Sequence, residues 1–274
     1  MSKSRTTAAT KPLLIAQNSV SKAWAQALLY VLDHPGTEIA PLILSIDCVN
    51  GQYIDDPSDP VYSALDAVLS TKGRPSIENV AFTIFPERYR QIVGGDRNAL
   101  FDLYRRSFPR MQERKKSLNG RGLYFQRMIM YDGAPCNGNQ LEWILSQYQK
   151  RTSVRRSMLQ ATVFDARKDH VASAQLGFPC LQHVSFEPTT AGLVLNAFYA
   201  TQQLFDKAYG NYLGLLHLGQ FMAAQMGTAL VRLNVMVGVA KLERITKSDP
   251  ALKQLVAIAK ALVENHEPAQ TLTQ

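Results

Sequence analysis

The chain has 274 residues, 46% of them hydrophobic and 19% charged, which allows one large domain or two small ones around a substantial core. That balance excludes a disordered or fibrous protein, and no apolar run approaches the roughly 18–20 residues of a membrane span. Lys and Arg number 30 against 22 Asp and Glu, a formal charge of +8 that favours anionic partners such as nucleic acid, phosphorylated metabolites or folate-like polyanions, although from net charge alone a solubility charge with no partner is the better reading.

The first stretch, "MSKSRTTAATKP", is polar with no apolar segment behind it. It reads as the start of a mobile tail over residues 1–17 rather than a secretory signal. "NSVSKAWAQALLYVLDHPG" predicts a helix capped by Asn18 or Ser19, with Val20, Ala23, Trp24, Ala27, Leu28, Val31 and Leu32 on one face and a stop at His34-Pro35-Gly36. "PLILSIDCV" (41–49) follows as a strand and "DDPSDP" as a loop. "SIENVAFTIFP" (76–86) fits neither period well, and "RNALFDLYRRSF" (97–108) reads as a helix. "GLYFQRMIMY" (122–131) reads as a strand or extended segment with "DGAPCNG" as the turn after it.

"NQLEWILSQYQK" (139–150) is an amphipathic helix. "SMLQATVFD" (157–165), "QHVSFEP" (182–188) and "GLVLNAFYAT" (192–201) alternate as strands do. Residues 203–226 form a long, mostly apolar helix whose Gly210, Gly214 and Gly219 point to close packing against a neighbour. "TALVRLNVMVGVA" (228–240) is a strand, and 249–265 a closing helix with Asp249 as cap and Pro250 at its first position. With no repeat or composition break, one α+β domain over 18–266 is expected, a mostly buried sheet packed by long helices, with a short tail at 267–274. Cys48, Cys136 and Cys180 are odd in number and far apart, which argues against a disulfide scaffold or zinc site and suits a reducing cytoplasm.

"LGFPCLQHVSF" (176–186) poses the functional question, because Cys180 is either a nucleophile or one more buried thiol. The order around it is informative: a helix, "TSVRR", a strand, "FPC", two strands, then a long helix carrying Asn211. This resembles the thymidylate synthase family, which includes the pyrimidine nucleotide hydroxymethylases. There an arginine pair precedes a strand, a Pro-Cys-His supplies the nucleophile, and a strand and a helix with an asparagine follow. The resemblance runs from about residue 18 to 243 through fragmentary motifs, Arg155–Arg156, Pro179–Cys180 and Asn211. It implies a large mixed sheet, a homodimer paired sheet to sheet with shared active sites, and a pyrimidine nucleotide substrate. It also implies 5,10-methylenetetrahydrofolate as one-carbon donor.

In that chemistry a thiolate adds at C6 so that C5 can attack the donor. Cys180 would be the nucleophile, its thiolate favoured by nearby arginines. Asn211 would hold the polar edge of the base, and Arg155 and Arg156 the phosphate, supplied by the other subunit. The chain departs from the pattern at several positions. Leu181 stands where a histidine follows the nucleophile, Ala200 and Thr201 replace an Arg-Ser pair, and Met236 to Gly238 replace a His-x-Tyr that holds the sugar. Glu78 and Glu87 are the nearest candidates for an early glutamate, and the ending "HEPAQTLTQ" lacks the small apolar C-terminus that closes over the folate. Arg88, Arg90 and Arg127 are candidate replacements for lost phosphate contacts, while His183, three residues after Cys180, would point away from it. Each residue also has a bland reading: a solvated arginine pair, an asparagine that packs a helix, a core thiol. The competing function is a divergent protein of this fold that binds a nucleotide or a protein partner without turnover. A nucleic-acid binder has no helix-turn-helix spacing, zinc pattern or aromatic-basic motif to support it.

Overall fold

The computed structural model describes residues 11–48, 59–114, 116–172 and 179–264. Strand β1 (Leu13–Gln17) leads into helix α1 (Val20–Asp33), whose Ser19 hydroxyl caps the Lys22 amide. Strands β2 (Glu38–Ile39) and β3 (Leu42–Asp47) follow, then α2 (Pro60–Thr71), α3 (Ile77–Ile84), α4 (Glu87–Ile92), α5 (Arg97–Arg114) and the single turn α6 (Lys116–Asn119). Next come α7 (Tyr124–Ile129), α8 (Gln140–Lys150), a short 3-10 turn over Arg156–Met158, β4 (Gln160–Thr162) and α9 (Ala166–Asp169). The chain continues through β5 (Leu181–Pro188), β6 (Leu193–Gln203), a wide π-type turn (Leu204–Ala208), α10 (Tyr209–Gln225), β7 (Leu230–Lys241) and α11 (Leu252–Glu264).

The fold is α+β, an open seven-stranded mixed sheet packed by helices, in the order β1-β3-β7-β6-β5-β4 with β2 also on β7. β1 and β3 are parallel because α1 carries the chain back between them, and β6 and β7 are parallel because α10 does the same. Leu42, Leu44, Ile46, Val184, Phe186, Leu193, Leu195, Leu233 and Val235 turn inward into the helical layer and are almost fully buried. The opposite face carries a hydrogen-bonded ladder across four strands: Ser45 donates to Asn234, Asn234 to Asn196, and Asn196 to Ser185. Leu14, Phe198 and Met236 stand exposed on the molecule's surface, 71%, 40% and 48% respectively.

One irregularity crosses the sheet and positions everything that follows. Along a regular strand, buried positions recur every second residue. Here they skip to the third in four neighbouring places: Ile39 to Leu42, Leu181 to Val184, Tyr199 to Gln202 and Val237 to Ala240. The register aligns these breaks, since Leu181 pairs with Tyr199, Tyr199 with Val237, and Gln202 with Ala240, which pairs in turn with Ile39. The ladder itself shifts register at one of them, between Leu181 and His183, and such a bulge bends a strand and re-aims side chains. At the bend β6 and β7 approach so closely that a Cβ on Gly238 would lie 2.7 Å from the Ala200 carbonyl oxygen.

Several elements differ from the sequence reading. Leu13–Gln17, placed in a tail, pairs with β3 as an edge strand. The 122–131 segment is a helix over Tyr124–Ile129. Its aromatics favour a strand, but Phe125, Met128 and Ile129 bury at helical spacing, and packing overrides propensity. The 76–86 segment resolves as α3, capped by Ser76. The strand at 157–165 shrinks to three residues behind a 3-10 turn. The closing helix starts at Leu252 rather than Pro250, because Asp249 turns the chain through Ala251 and also holds Lys72 at 2.7 Å. The long apolar helix packs as its glycines require: a Cβ on Gly214 would lie 2.6 Å from the Ala81 carbonyl oxygen of α3. Residues 265–274, including the tail at 267–274, and residues 55–58 of "DDPSDP" lie outside the described residues.

Candidate functional site

Cys180 opens β5 at the bend, half-buried against the core. Its carbonyl accepts the Ala200 amide at 3.1 Å, and the Thr201 hydroxyl reaches its Sγ at 3.7 Å. Both neighbours exist there because β6 turns two consecutive residues, Ala200 and Thr201, away from the core. From the helical layer the Tyr124 hydroxyl comes in against the thiol and the Cys180–Leu181 backbone. Burial raises the pKa of that phenol well above its usual value, and the thiol beside it adds to the rise, so Tyr124 stays protonated. The other thiols differ. Cys48 is buried and pushed up to about 12 by burial and then by Asp47, which makes it inert, while Cys136 is exposed.

Beneath Cys180 lies a cluster of buried polar side chains. Tyr199 faces Leu181 across the β5–β6 ladder and is fully buried, and burial raises its phenol far above the usual range, with Tyr124, Tyr212 and Cys180 contributing. Gln202, beyond the bend, is 2% exposed and accepts the Tyr212 hydroxyl of α10 at 2.7 Å through its Oε1. Asn211 is buried on the first turn of α10, one residue before Tyr212. Sequence reasoning named Cys180 and Asn211 but missed Tyr124, Tyr199, Gln202 and Tyr212. Only the tyrosine-rich context hinted at them, since their contacts span the chain.

The arginine pair lies elsewhere. Arg155 and Arg156 are exposed, and Arg156 is paired with Glu187 at 2.7 Å near the far end of β5. At about 3.3 Å per strand residue, that is roughly 20 Å from Cys180. One chain alone does not bring the pair to the thiol. Two of the other candidate arginines, Arg90 and Arg127, are committed as well. Arg90 forks onto Glu87, and Arg127 donates to both oxygens of Asp169, at 2.6 and 2.8 Å, and to the carbonyls of Val163 and Arg121. Burial alone would raise the Asp169 carboxyl, but the Arg127 fork and the Asp165 amide hold it below the usual range. Glu78 accepts the Tyr62 hydroxyl at 3.4 Å, and Glu87 is engaged by Arg90, so neither glutamate stands at Cys180. His183 lies in β5 between Thr162 and Phe198, half-buried, its ring nitrogen Nε2 without a partner and its pKa lowered by burial.

Two recesses are best formed among the described residues. One, about 160 Å³, lies between α5, α7 and α9 and is lined by Gln112, Arg121, Gln126, Arg127, Tyr131 and Lys168, among others. The second lies between α3, α4 and α10 at His217. Neither includes Cys180 or Asn211. The described side chains around the thiol thus present hydroxyls and an amide, and neither of these two recesses opens at it. No group of three His, Cys, Asp or Glu side chains able to hold a metal ion occurs among the described residues. No described helix is long and apolar enough to cross a membrane. In comparison with known proteins, no family model matches the chain and no curated protein matches it.

Proposed function

We propose that this chain is a pyrimidine nucleotide C5 one-carbon transferase of the thymidylate synthase type, methylating or hydroxymethylating dUMP or a related nucleotide, and that it works as a homodimer. The observation that carries this reading is the placement of Cys180: a half-buried thiol at a sheet bend, met by the hydroxyls of Tyr124 and Thr201, with an amide-bearing cluster below it. A half-buried thiol ringed by hydroxyls is a place for a nucleophile rather than for a packing residue. The thiol loses its proton as the sulfur–C6 bond forms, and the C5=C6 electron pair moves through C5 onto the 4-position. C5 has then become a nucleophilic carbon. Protonation at C5 followed by loss of a proton exchanges its hydrogen with solvent before any one-carbon unit is needed. The donor that the resemblance implies, 5,10-methylenetetrahydrofolate, has no cradle among the described residues, and no step here runs through it.

The separation of Arg155 and Arg156 from Cys180 supports the dimer. If these arginines serve the phosphate, they must come from a second copy, and Phe198 and Met236 give the open face of the sheet the apolar surface for such a pairing. A second reading is a divergent protein of this fold that binds a nucleotide or protein without turnover. It draws on the Arg156–Glu187 pair and on Ala200, Met236 and Gly238, which carry no hydrogen-bonding side chain toward a sugar or phosphate.

The two readings separate in a C5 hydrogen–deuterium exchange experiment followed by proton NMR in heavy water, with dUMP, UMP, dCMP and CMP. The transferase reading expects exchange with one of these, reduced by at least about 10³-fold in Cys180→Ser while the variant keeps its fold. No exchange with any of them, with or without tetrahydrofolate, moves the assignment to the binding protein and leaves Cys180 a packing thiol.

A further inference from the structure

Two buried polar groups beneath Cys180 have no hydrogen-bond partner: the hydroxyl of Tyr199 and the side-chain nitrogen of Gln202. A buried polar group left without a partner is costly to the fold. Phe and Met would fill the same space without that cost, so the two groups call for an explanation. As placed, the Gln202 amide accepts the Tyr212 hydroxyl through its oxygen at 2.7 Å, with the N–H₂ end as the open one. Tyr199 sits across the ladder from Leu181, the residue after the thiol, and Ala200, which follows it, bonds the Cys180 carbonyl. Both orphans therefore lie on the inner side of the bend that carries the nucleophile, on either side of the break between Tyr199 and Gln202.

We infer that the Tyr199 hydroxyl and the Gln202 amide form a polar subsite that binds a carbonyl oxygen of the ring Cys180 attacks. The amide nitrogen can only donate and the Tyr199 hydroxyl can donate as well, so a ligand atom that meets both is an acceptor with two lone pairs. A ring carbonyl oxygen is such an atom, and it is where negative charge gathers when sulfur adds to the ring. Fixed donors aimed at developing charge in a dry site do more for the reaction than for binding. This inference rests on the proposed function and deepens it by assigning the site a base-reading element distinct from Asn211.

The test takes whichever of dUMP, UMP, dCMP or CMP the wild-type protein binds by calorimetry and exchanges at C5, and measures both quantities for Tyr199→Phe and Gln202→Met, with melting temperatures. Expected are a loss of affinity of about tenfold and a loss of exchange rate of about 10²-fold or more in Tyr199→Phe, at an unchanged or higher melting temperature. Gln202→Met is expected to show the same ordering, exchange falling further than affinity, with some loss of stability because Tyr212 loses its acceptor. Wild-type affinity and exchange in Tyr199→Phe overturn the subsite and leave the transferase reading standing; the orphans then hold only a buried water. Losses that merely track the folded fraction in both variants overturn it as well. A wild-type protein that neither binds nor exchanges any of the four nucleotides overturns the transferase reading, and the subsite with it.

Discussion

Two buried polar clusters flank β5, and they are built on opposite terms. In the α7–α9 cluster, Arg127 and Asp169 share two hydrogen bonds, the remaining guanidinium hydrogens go to the carbonyls of Arg121 and Val163, and Asp169 also receives the Asp165 amide. In the β6–α10 cluster, Tyr212 and Gln202 share one bond while the Tyr199 hydroxyl and the Gln202 nitrogen remain open. A low-dielectric surrounding rewards a closed polar network and penalises an open one. The first cluster is thus a clamp that fixes α7, and with α7 the Tyr124 hydroxyl over the thiol. The second keeps unspent hydrogen-bonding capacity next to the Cys180 thiol.

The comparison breaks most sharply at the clamp. Arg127→Met leaves the Asp169 carboxylate, whose side chain is 1% exposed, buried without its counter-ion. The expected loss is about 3–5 kcal/mol of folding stability, measurable by denaturant unfolding. A loss near zero would mean that Asp169 takes up a proton or meets water, and that the network is not the clamp described. Because Asp169 is held below its usual range, the clamp's contribution is present above the ordinary carboxylate pKa and disappears as pH falls through the lowered value.

A different titration sharpens the contrast at milder acidity. His217, buried in α10 beside the recess formed with α3 and α4, is lowered to about 4, chiefly by burial, with Glu87 opposing and Arg90 adding to the shift. Its neutral form belongs to the fold, so the unfolded chain binds the extra proton. Stability is full above about 6.5 and falls as pH drops from there toward 4. The penalty is on the order of 3 kcal/mol at the acid end. Wild-type and His217→Gln unfolding free energies, compared from pH 7 to pH 4, are expected to converge in that window. Parallel curves would place the acid sensitivity elsewhere.

Which of these features the sequence could show follows from how far their contacts reach. The strands β5, β6 and β7 and the helices α1, α8 and α10 are written in local periods and caps, and they read correctly. Cys180 and Asn211 stood out through residue type and order. The α7 helix did not, because "LYFQRMIM" carries strand-like residues and only burial of Phe125, Met128 and Ile129 decides the matter. Nor did β1, whose pairing depends on β3, or α2, although Asp59 and Pro60 form a proper start signal for it. The bend is invisible in any one strand, since the skipped positions mean something only when the register lines them up across neighbours. Tyr124, Tyr199 and Gln202 acquire meaning from that bend and from neighbours far along the chain, and so does the distance between Cys180 and the arginine pair.

The smallest effect is the most discriminating for the contrast between the clusters. Tyr199→Phe removes one oxygen from a fully buried side chain whose hydroxyl has no protein partner. In a closed network such a deletion destabilises, because it orphans whatever the hydroxyl had bonded. In the open cluster it orphans nothing in the protein and relieves an unmade bond, so unfolding stability is expected to stay level or rise by up to about 1 kcal/mol. A loss of more than about 1 kcal/mol would show that the hydroxyl is satisfied in the free protein by an ordered water. The open cluster would then be a closed one with a solvent member, and the difference between the two flanks of β5 would reduce to what fills the last position. A gain in stability would instead show that the fold carries this hydroxyl at a cost, as expected of a group kept for a ligand rather than for the fold.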